Sequence, residues 1–361
     1  SWIEQLAKPL CDIVAAETTE EEAILAMLPV VGKLCRKEKM AAAIAAVPMV
    51  SAIFACMKTV ATEAVFNCCC NVLLVLVRNC PAAVAQFVDA NSPRAIYDGL
   101  YKYMTTEEVV GVACSLLHIL LSDSAVGFDV LTLDDVTPMK DLMKNSWDLK
   151  QTVVRDDVLS MGLAGMNALG NKHREEEKAL KRLGAPEVVE EVVRSFAIHS
   201  MVHARMALMA LVYAAMTDKG KKSIVEKRGV QAEMEAIEEF SADKEACSNG
   251  LNALSLMTDV TAAQKLVVKY GVGSILSVMR RHTAEKEVLL FALKTLSGLR
   301  EVKEVCDAIG REGGIPAVVE VWRLYAEEEE MVKLGAVVLK MATRSSEASA
   351  DELVGCNAVQ T

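Results

Sequence analysis

Mostly apolar pairs recur along the chain with a nearly fixed period: Val30-Val31, Leu73-Leu74, Leu116-Leu117, Ala168-Leu169, Ala210-Leu211, Ala253-Leu254, Thr295-Leu296 and Val338-Leu339. Their first members are 43, 43, 52, 42, 43, 42 and 43 residues apart. Each pair sits late in a stretch that reads as a helix, and no stretch reads as a strand. A period in the low forties, carried by one apolar helix each time, is the mark of stacked helical repeats. Each unit then buries its apolar face only by packing on its neighbours.

A second series keeps the same time. Pro9, Pro48, Pro93, Pro138, Pro186, Gln231, Gly273 and Pro316 are spaced 39, 45, 45, 48, 45, 42 and 43 residues apart, and they include six of the eight prolines. The clearest example is Arg311-Glu312-Gly313-Gly314-Ile315-Pro316-Ala317-Val318-Val319-Glu320-Val321. It predicts a helix end, a glycine turn with positive φ and a proline in the first turn of a new helix, where its missing N–H costs nothing. The turn glycines Gly184, Gly229, Gly271 and Gly314 are separated by 45, 42 and 43 residues. Each period therefore parses into three helices: a short one before the turn, a second from the marker, and a third carrying the apolar pair. Thr19 with Glu22, Thr105 with Glu108, and the acidic run Glu327 to Glu330 are expected to cap third helices and oppose their dipoles.

This spacing predicts a single repeat domain over 1–361, with units starting near 1, 40, 85, 128, 176, 221, 263 and 304. A truncated ninth unit is expected from about 351. Pro138 and Ala168 lie 30 residues apart, where the same interval elsewhere is 21 to 25. The excess places an insertion at about 144–156 and makes Trp147 a candidate contact residue, tryptophan being enriched at binding hot spots.

Composition narrows the function classes. Apolar residues make up 52 % of 361 positions and aromatics only 4 %, a mixture suited to close helix packing. The net charge of −10 argues against free nucleic acid as a partner, which needs a basic surface. Eleven irregularly placed cysteines, with no Cys-x-x-Cys pair, read as reduced thiols of an intracellular protein rather than a disulfide or zinc framework. Met40 to Met57 carries no charge over 18 residues, but Pro48 on the repeat phase predicts two short buried helices there instead of a membrane span. His199 and His203 have a chelating i, i+4 spacing on a predicted third helix, yet no third ligand follows. Gly162-Leu163-Ala164-Gly165 reads as a helix contact. No catalytic set, phosphate loop, metal site or cofactor site is expected.

With these residues laid out, the chain resembles the armadillo-repeat family along nearly its whole length. The closest matches are Glu312-Gly313-Gly314-Ile315-Pro316-Ala317-Val318-Val319 and Met166-Asn167-Ala168-Leu169-Gly170-Asn171, followed downstream by Leu183-Gly184-Ala185-Pro186. The resemblance implies an all-α, right-handed α-solenoid of about eight three-helix repeats. It also implies a non-enzymatic protein whose third helices line a concave groove for extended peptides or partner helices. The Trp/Asn ladder of nuclear-import receptors is absent: the Asn positions correspond to Lys33, Leu76, Ile119, Asn171, Tyr213, Leu256, Gly298 and Met341. Groove candidates are Asn167, Asn171, Arg205, Tyr213, Asn249, Asn252 and Lys294, with Val72, Leu76 and Ile119 giving the early units an apolar lining. Two roles follow as expectations. One is a cytoplasmic adaptor gripping a linear segment of a partner protein. The other is a structural subunit of a large cytoskeletal assembly such as a ciliary axoneme.

Overall fold

The computed structural model describes residues 2–89, 92–122, 131–149, 151–344 and 347–356. The expected start of the fourth repeat near residue 128 lies outside them. Among the described residues every regular element is a helix. Third helices run over Glu21–Cys35, Glu63–Asn79, Glu107–Ser122, Thr152–Lys172, Met201–Ala215, Lys244–Leu256, Lys286–Gly298 and Glu329–Thr343, where the apolar pairs place them. The leucines of those pairs explain why: Leu73, Leu116, Leu117, Leu169, Leu211, Leu254, Leu296 and Leu339 are all buried. Each contributes about 1.5–3 kcal/mol on leaving water.

The chain forms two compact units, Ser1–His173 and Arg174–Thr361. In the first, the third helices Glu21–Cys35, Glu63–Asn79, Glu107–Ser122 and Thr152–Lys172 pack in order, each on the next. In the second, Met201–Ala215, Lys244–Leu256, Lys286–Gly298 and Glu329–Thr343 do the same. Shorter helices pack against each of these stacks, as Val272–Arg281 does on Lys286–Gly298 and Gly314–Leu324 on Glu329–Thr343. Beyond Thr343 a further helix covers Glu347–Gly355.

Most of the punctuation behaves as its chemistry demands. Pro186 opens the helix Pro186–Arg194, Pro48 stands immediately before Met49–Thr59, and Pro316 lies in the first turn of Gly314–Leu324. Pro9 does not: it sits in the middle of the helix Trp2–Ala16 instead of starting one. The residues before it continue the helix, so this repeat has no turn for the proline to follow.

The glycines need correction. Only Gly271 of the four marked positions has a positive φ, at 104°. At the Gly314 turn the left-handed residue is Gly313, φ 70°, and at Gly229 it is Arg228, φ 64°. Gly184, Gly229 and Gly314 are glycines for lack of space. A Cβ on Gly184 would lie 2.7 Å from the Gly220 Cα, and one on Gly314 2.7 Å from the Ile309 carbonyl oxygen.

Two expected caps also shift. The helix Glu21–Cys35 has Glu20 in the cap position with no side-chain bond, so Thr19 and Glu22 form no capping box. The third repeat's helix starts at Glu107, two residues beyond Thr105. Side-chain caps occur elsewhere, from Thr62 to Val65 N (3.4 Å), Thr217 to Gly220 N (3.1 Å) and Asp243 to Ala246 N (2.8 Å).

The uncharged run at Met40 to Met57 splits into Glu38–Ala45 and Met49–Thr59, bent by 76°. Among the described residues no single helix is long and apolar enough to cross a membrane. In that run Met40, Ile44, Met49, Ile53 and Phe54 are buried in the first unit. The long interval after Pro138 lengthens a third helix, since Thr152–Lys172 has 21 residues where the others have 13 to 17.

Candidate protein-interaction face

On a stack of third helices, residues that escape burial by the neighbouring helices form a stripe at i, i+3, i+4 spacing. In the first unit this stripe holds Asn67, Asn71 and Val75 on one helix, Gly111, Ser115 and His118 on the next, and Ala164, Asn167 and Asn171 on the last. Asn171 is exposed and Asn167 half-buried, so the two amides expected here do lie on one unburied side of their helix.

Asn67 and Asn71 are additions that the sequence reading missed. Val72 and Leu76, expected to line the face, are buried at 3 % and 0 % exposure. The cause is a one-residue slip in register: a step of one residue turns a helical side chain by about 100°, enough to move it from solvent into the core. Asn71 donates to both the backbone and the side-chain oxygen of Asn67 (3.1 Å each), and Asn67 donates to Glu108 of the next repeat (3.4 Å). Ile119 of the third repeat is half-buried.

In the second unit the candidates are engaged with one another and with the next repeat. Arg205 donates from Nε to Asp243 Oδ1 (2.8 Å), makes a second contact with Asp243 Oδ2, and places Nη1 3.3 Å from Glu245. Asp243 holds the cap of Lys244–Leu256 with the same carboxylate. The guanidinium bond therefore holds the Asp243 carboxyl below its ordinary range. Asn249 is buried and donates its amide to the Arg205 carbonyl oxygen at 3.3 Å. Tyr213 is buried as well, and that burial raises its phenol pKa. Asn252 is half-buried on the same helix as Asn249. Lys294 pairs with Glu330 of the next repeat at 2.9 Å and lies over the Phe291 ring.

These pairs belong to a ladder. Lys244 meets Glu285 at 3.2 Å and Lys286 meets Glu328 at 2.5 Å, so a cation near the start of one third helix repeatedly reaches an acid one repeat on. The first unit uses neutral donors in the opposite sense. Thr62 donates to Glu21 (2.7 Å) and Thr106 to Glu63 (2.9 Å), each reaching back one repeat. With its cations neutralised, the second unit's face offers amides, paired charges and partly exposed apolar groups such as Met209 and Leu290. Such a face can donate to and accept from a peptide backbone without demanding one sign of charge.

Trp147 ends the helix Val136–Ser146 and is half-buried, with the Arg155 guanidinium 5.5 Å from its ring centroid. His199 is not on the third helix with His203; it precedes that helix in a left-handed conformation and contacts Glu239 at 3.2 Å, while His203 is buried. Among the described residues no group of three or more His, Cys, Asp or Glu is placed to hold a metal ion. Gly162 and Gly165 serve helix contact, since a Cβ there would lie 2.4 Å from Met143 and 2.6 Å from the Tyr97 hydroxyl.

Comparison with solved structures bears on the fold. An engineered protein solved by the Northeast Structural Genomics Consortium is similar over 97 % of this chain and 92 % of its own, with TM-score 0.60 and 18 % identity. The fold is an armadillo-like α-solenoid. A second engineered protein from the same consortium matches at TM-score 0.53 and 12 % identity, over 69 % of this solenoid and 98 % of its own chain. A designed armadillo repeat protein in complex with the peptide (KR)4 has TM-score 0.49 and 12 % identity, over 69 % and 98 % of the two chains. No family model matches the sequence, and no curated protein matches it.

Proposed function

We propose that this solenoid is a non-enzymatic interaction scaffold that holds a linear segment or helix of a partner protein along its third helices. The observation that carries the reading is the run of amides on the first unit's unburied stripe, Asn67, Asn71, Asn167 and Asn171. An amide supplies a donor and an acceptor together, which suits the backbone of an extended chain; Asn171 is the exposed one of the four, while the Asn167 Oδ1 is buried and Asn71 donates to Asn67. Taken by itself, the second unit has Asn252 and the paired cations Arg205 and Lys294 on its own third helices. The test is affinity capture with the wild-type chain against a variant carrying Asn67→Ala, Asn71→Ala, Asn167→Ala and Asn171→Ala. Stoichiometric partners retained by the first and lost by the second support the scaffold; equal retention by both refutes the face.

A second reading, a structural subunit of a cytoskeletal assembly such as a ciliary axoneme, has one observation in its favour. Tyr101, Leu324 and Val354 are exposed at 52 %, 52 % and 66 % off the third helices, as Val30, Val153, Met201 and Val202 are on them. Exposed apolar groups away from the binding stripe suit a protein covered by neighbours. Co-purification with a salt-resistant cytoskeletal complex, unaffected by the four alanines, would select this reading and a cytoskeletal location over a free cytoplasmic adaptor.

A further inference from the structure

The first unit contains a cleft of about 270 Å³ away from the third-helix stripe, between the helices Met49–Thr59 and Ser92–Tyr103. Its floor is apolar. Met57 and Phe66 are buried there, and the Phe66 ring packs against Tyr103 with centroids 5.6 Å apart. Gly99 makes room for that floor, because a Cβ at this position would sit 1.9 Å from Phe66 Cε2.

The rim is cationic. Lys58, Arg94 and Lys102 line it against a single lining carboxylate, Asp98. Asp98 stands 3.6 Å from Arg94, and both side chains are open to solvent. Lys102 donates to the Ala61 carbonyl oxygen at 2.7 Å and lies 5.0 Å from the Tyr103 ring centroid. Lys58 and Lys102 stand in the last turns of their helices, where a cation offsets the dipole. Arg94 instead pairs with Asp98, one turn on in the same helix. It stands in the first turn of Ser92–Tyr103, the end at which a positive charge is disfavoured. In a chain of net charge −10, three cations against one carboxylate make this rim a local reversal of sign.

We infer that this cleft is a second docking site, for an acidic linear segment of another protein that seats an aromatic or large aliphatic side chain on Phe66 and Tyr103 and its flanking carboxylates on Lys58 and Arg94. Charge complementarity selects the acidic partner and the apolar floor selects the anchor beside it. The site is independent of the third-helix reading, and its failure leaves that reading untouched.

The test uses the full chain and three fluorescein-labelled peptides with Gly-Ser flanks and the cores Asp-Phe-Glu, Ser-Phe-Ser and Lys-Phe-Lys, followed by anisotropy at low salt. The acidic peptide is expected to bind about tenfold or more tighter than the neutral one and to weaken as salt is raised. The double variant Lys58→Glu with Arg94→Glu, both on exposed side chains, should reverse the preference toward the basic peptide at unchanged helicity, with the melting temperature lowered by no more than a few degrees. Asn67→Ala with Asn71→Ala should leave acidic-peptide binding intact. The inference is overturned if the acidic and neutral peptides bind alike or if the charge-reversed variant keeps its acidic preference. It also falls if the asparagine variant alone loses binding, or if inorganic phosphate displaces the peptide as well as unlabelled peptide does.

Discussion

The Asp243 carboxylate accepts from the Arg205 guanidinium of the preceding repeat while capping its own helix at Ala246 N. One side chain thus fixes both where the helix Lys244–Leu256 begins and how it sits on Met201–Ala215. Asp243→Ala should cost about 1–2 kcal/mol for the cap alone, and more once Arg205 loses its partner. Because the Asp243 pKa lies below its unfolded value, the contribution is complete above about pH 4 and fades as pH falls through the folded pKa. Urea titrations of wild type and Asp243→Ala should therefore differ at neutral pH and converge in acid. Curves that stay parallel down to the lowest accessible pH would show that the carboxylate's charge is irrelevant.

Glu233 gives the opposite sign. It is fully buried in the helix Gly229–Glu239, neither carboxylate oxygen has a hydrogen-bond partner among the described residues, and burial pushes its pKa up to about 8. The unfolded chain ionises this group near pH 4.3, so stability is lost as pH climbs from there toward 8 and then levels off. Glu233→Gln should be close to neutral at pH 4 and stabilising at pH 7, by up to about 4 kcal/mol. Denaturation midpoints at the two pH values decide the matter, and a pH-independent gain would point to packing rather than charge.

Gly184→Ala and Gly271→Ala separate two uses of glycine. The first introduces a methyl 2.7 Å from the Gly220 Cα at an ordinary negative φ, so its cost is steric, about 1–3 kcal/mol of overpacking. The second meets only ordinary contact, with the Gly273 nitrogen 3.9 Å away, but must hold φ near 104°, at a cost of about 1–3 kcal/mol of backbone strain. With ψ at 126°, Gly271 lies outside the left-handed region that asparagine tolerates, so Gly271→Asn should cost as much as Gly271→Ala, whereas Gly313→Asn, at φ 70° and ψ 34°, should be tolerated.

Asn71→Ala should leave the melting temperature within a degree or two, as expected of a partly exposed helical site, and lower affinity for a third-helix partner. Val72→Asn should do the reverse, since it buries an amide where Val72 is 3 % exposed. Equal losses of stability from the two changes would mean that the register of this repeat is not as described.

The contrast between Asn71 and Val72 also marks how far the sequence could be read. The eight third helices were legible because one amphipathic pattern repeats, and the leucines of the apolar pairs repeat their burial with it. The exposure of the third helices was only partly legible: Asn167 and Asn171 lie on an unburied side as expected, whereas Asn67 and Asn71 were lost to a slip of one residue, and whether any of them binds a partner is a matter for the proposed test. The ladder was not read at all, because Lys244 and Glu285 have no local motif that joins them. Their recurrence one period later, as Lys286 and Glu328, is the signal that could have revealed it. Proline and glycine were legible as punctuation but not in mechanism, since Gly184 answers to Gly220 in the next repeat and Gly314 to the Ile309 carbonyl across its own turn.

Eight of the eleven thiols lie in the first unit, and all of those in the chain are free. Burial raises the pKa of Cys69 and Cys70 well above that of an open thiol and pushes Cys35 to about 12. In the folded stack these sulfurs are starved of the thiolate that alkylating reagents need, so each reacts only when its own helix opens. The chain thereby carries built-in clocks: pulse-labelling Cys70 against Cys247, itself held near 12, would time the opening of one unit beside the other, with no engineered probe.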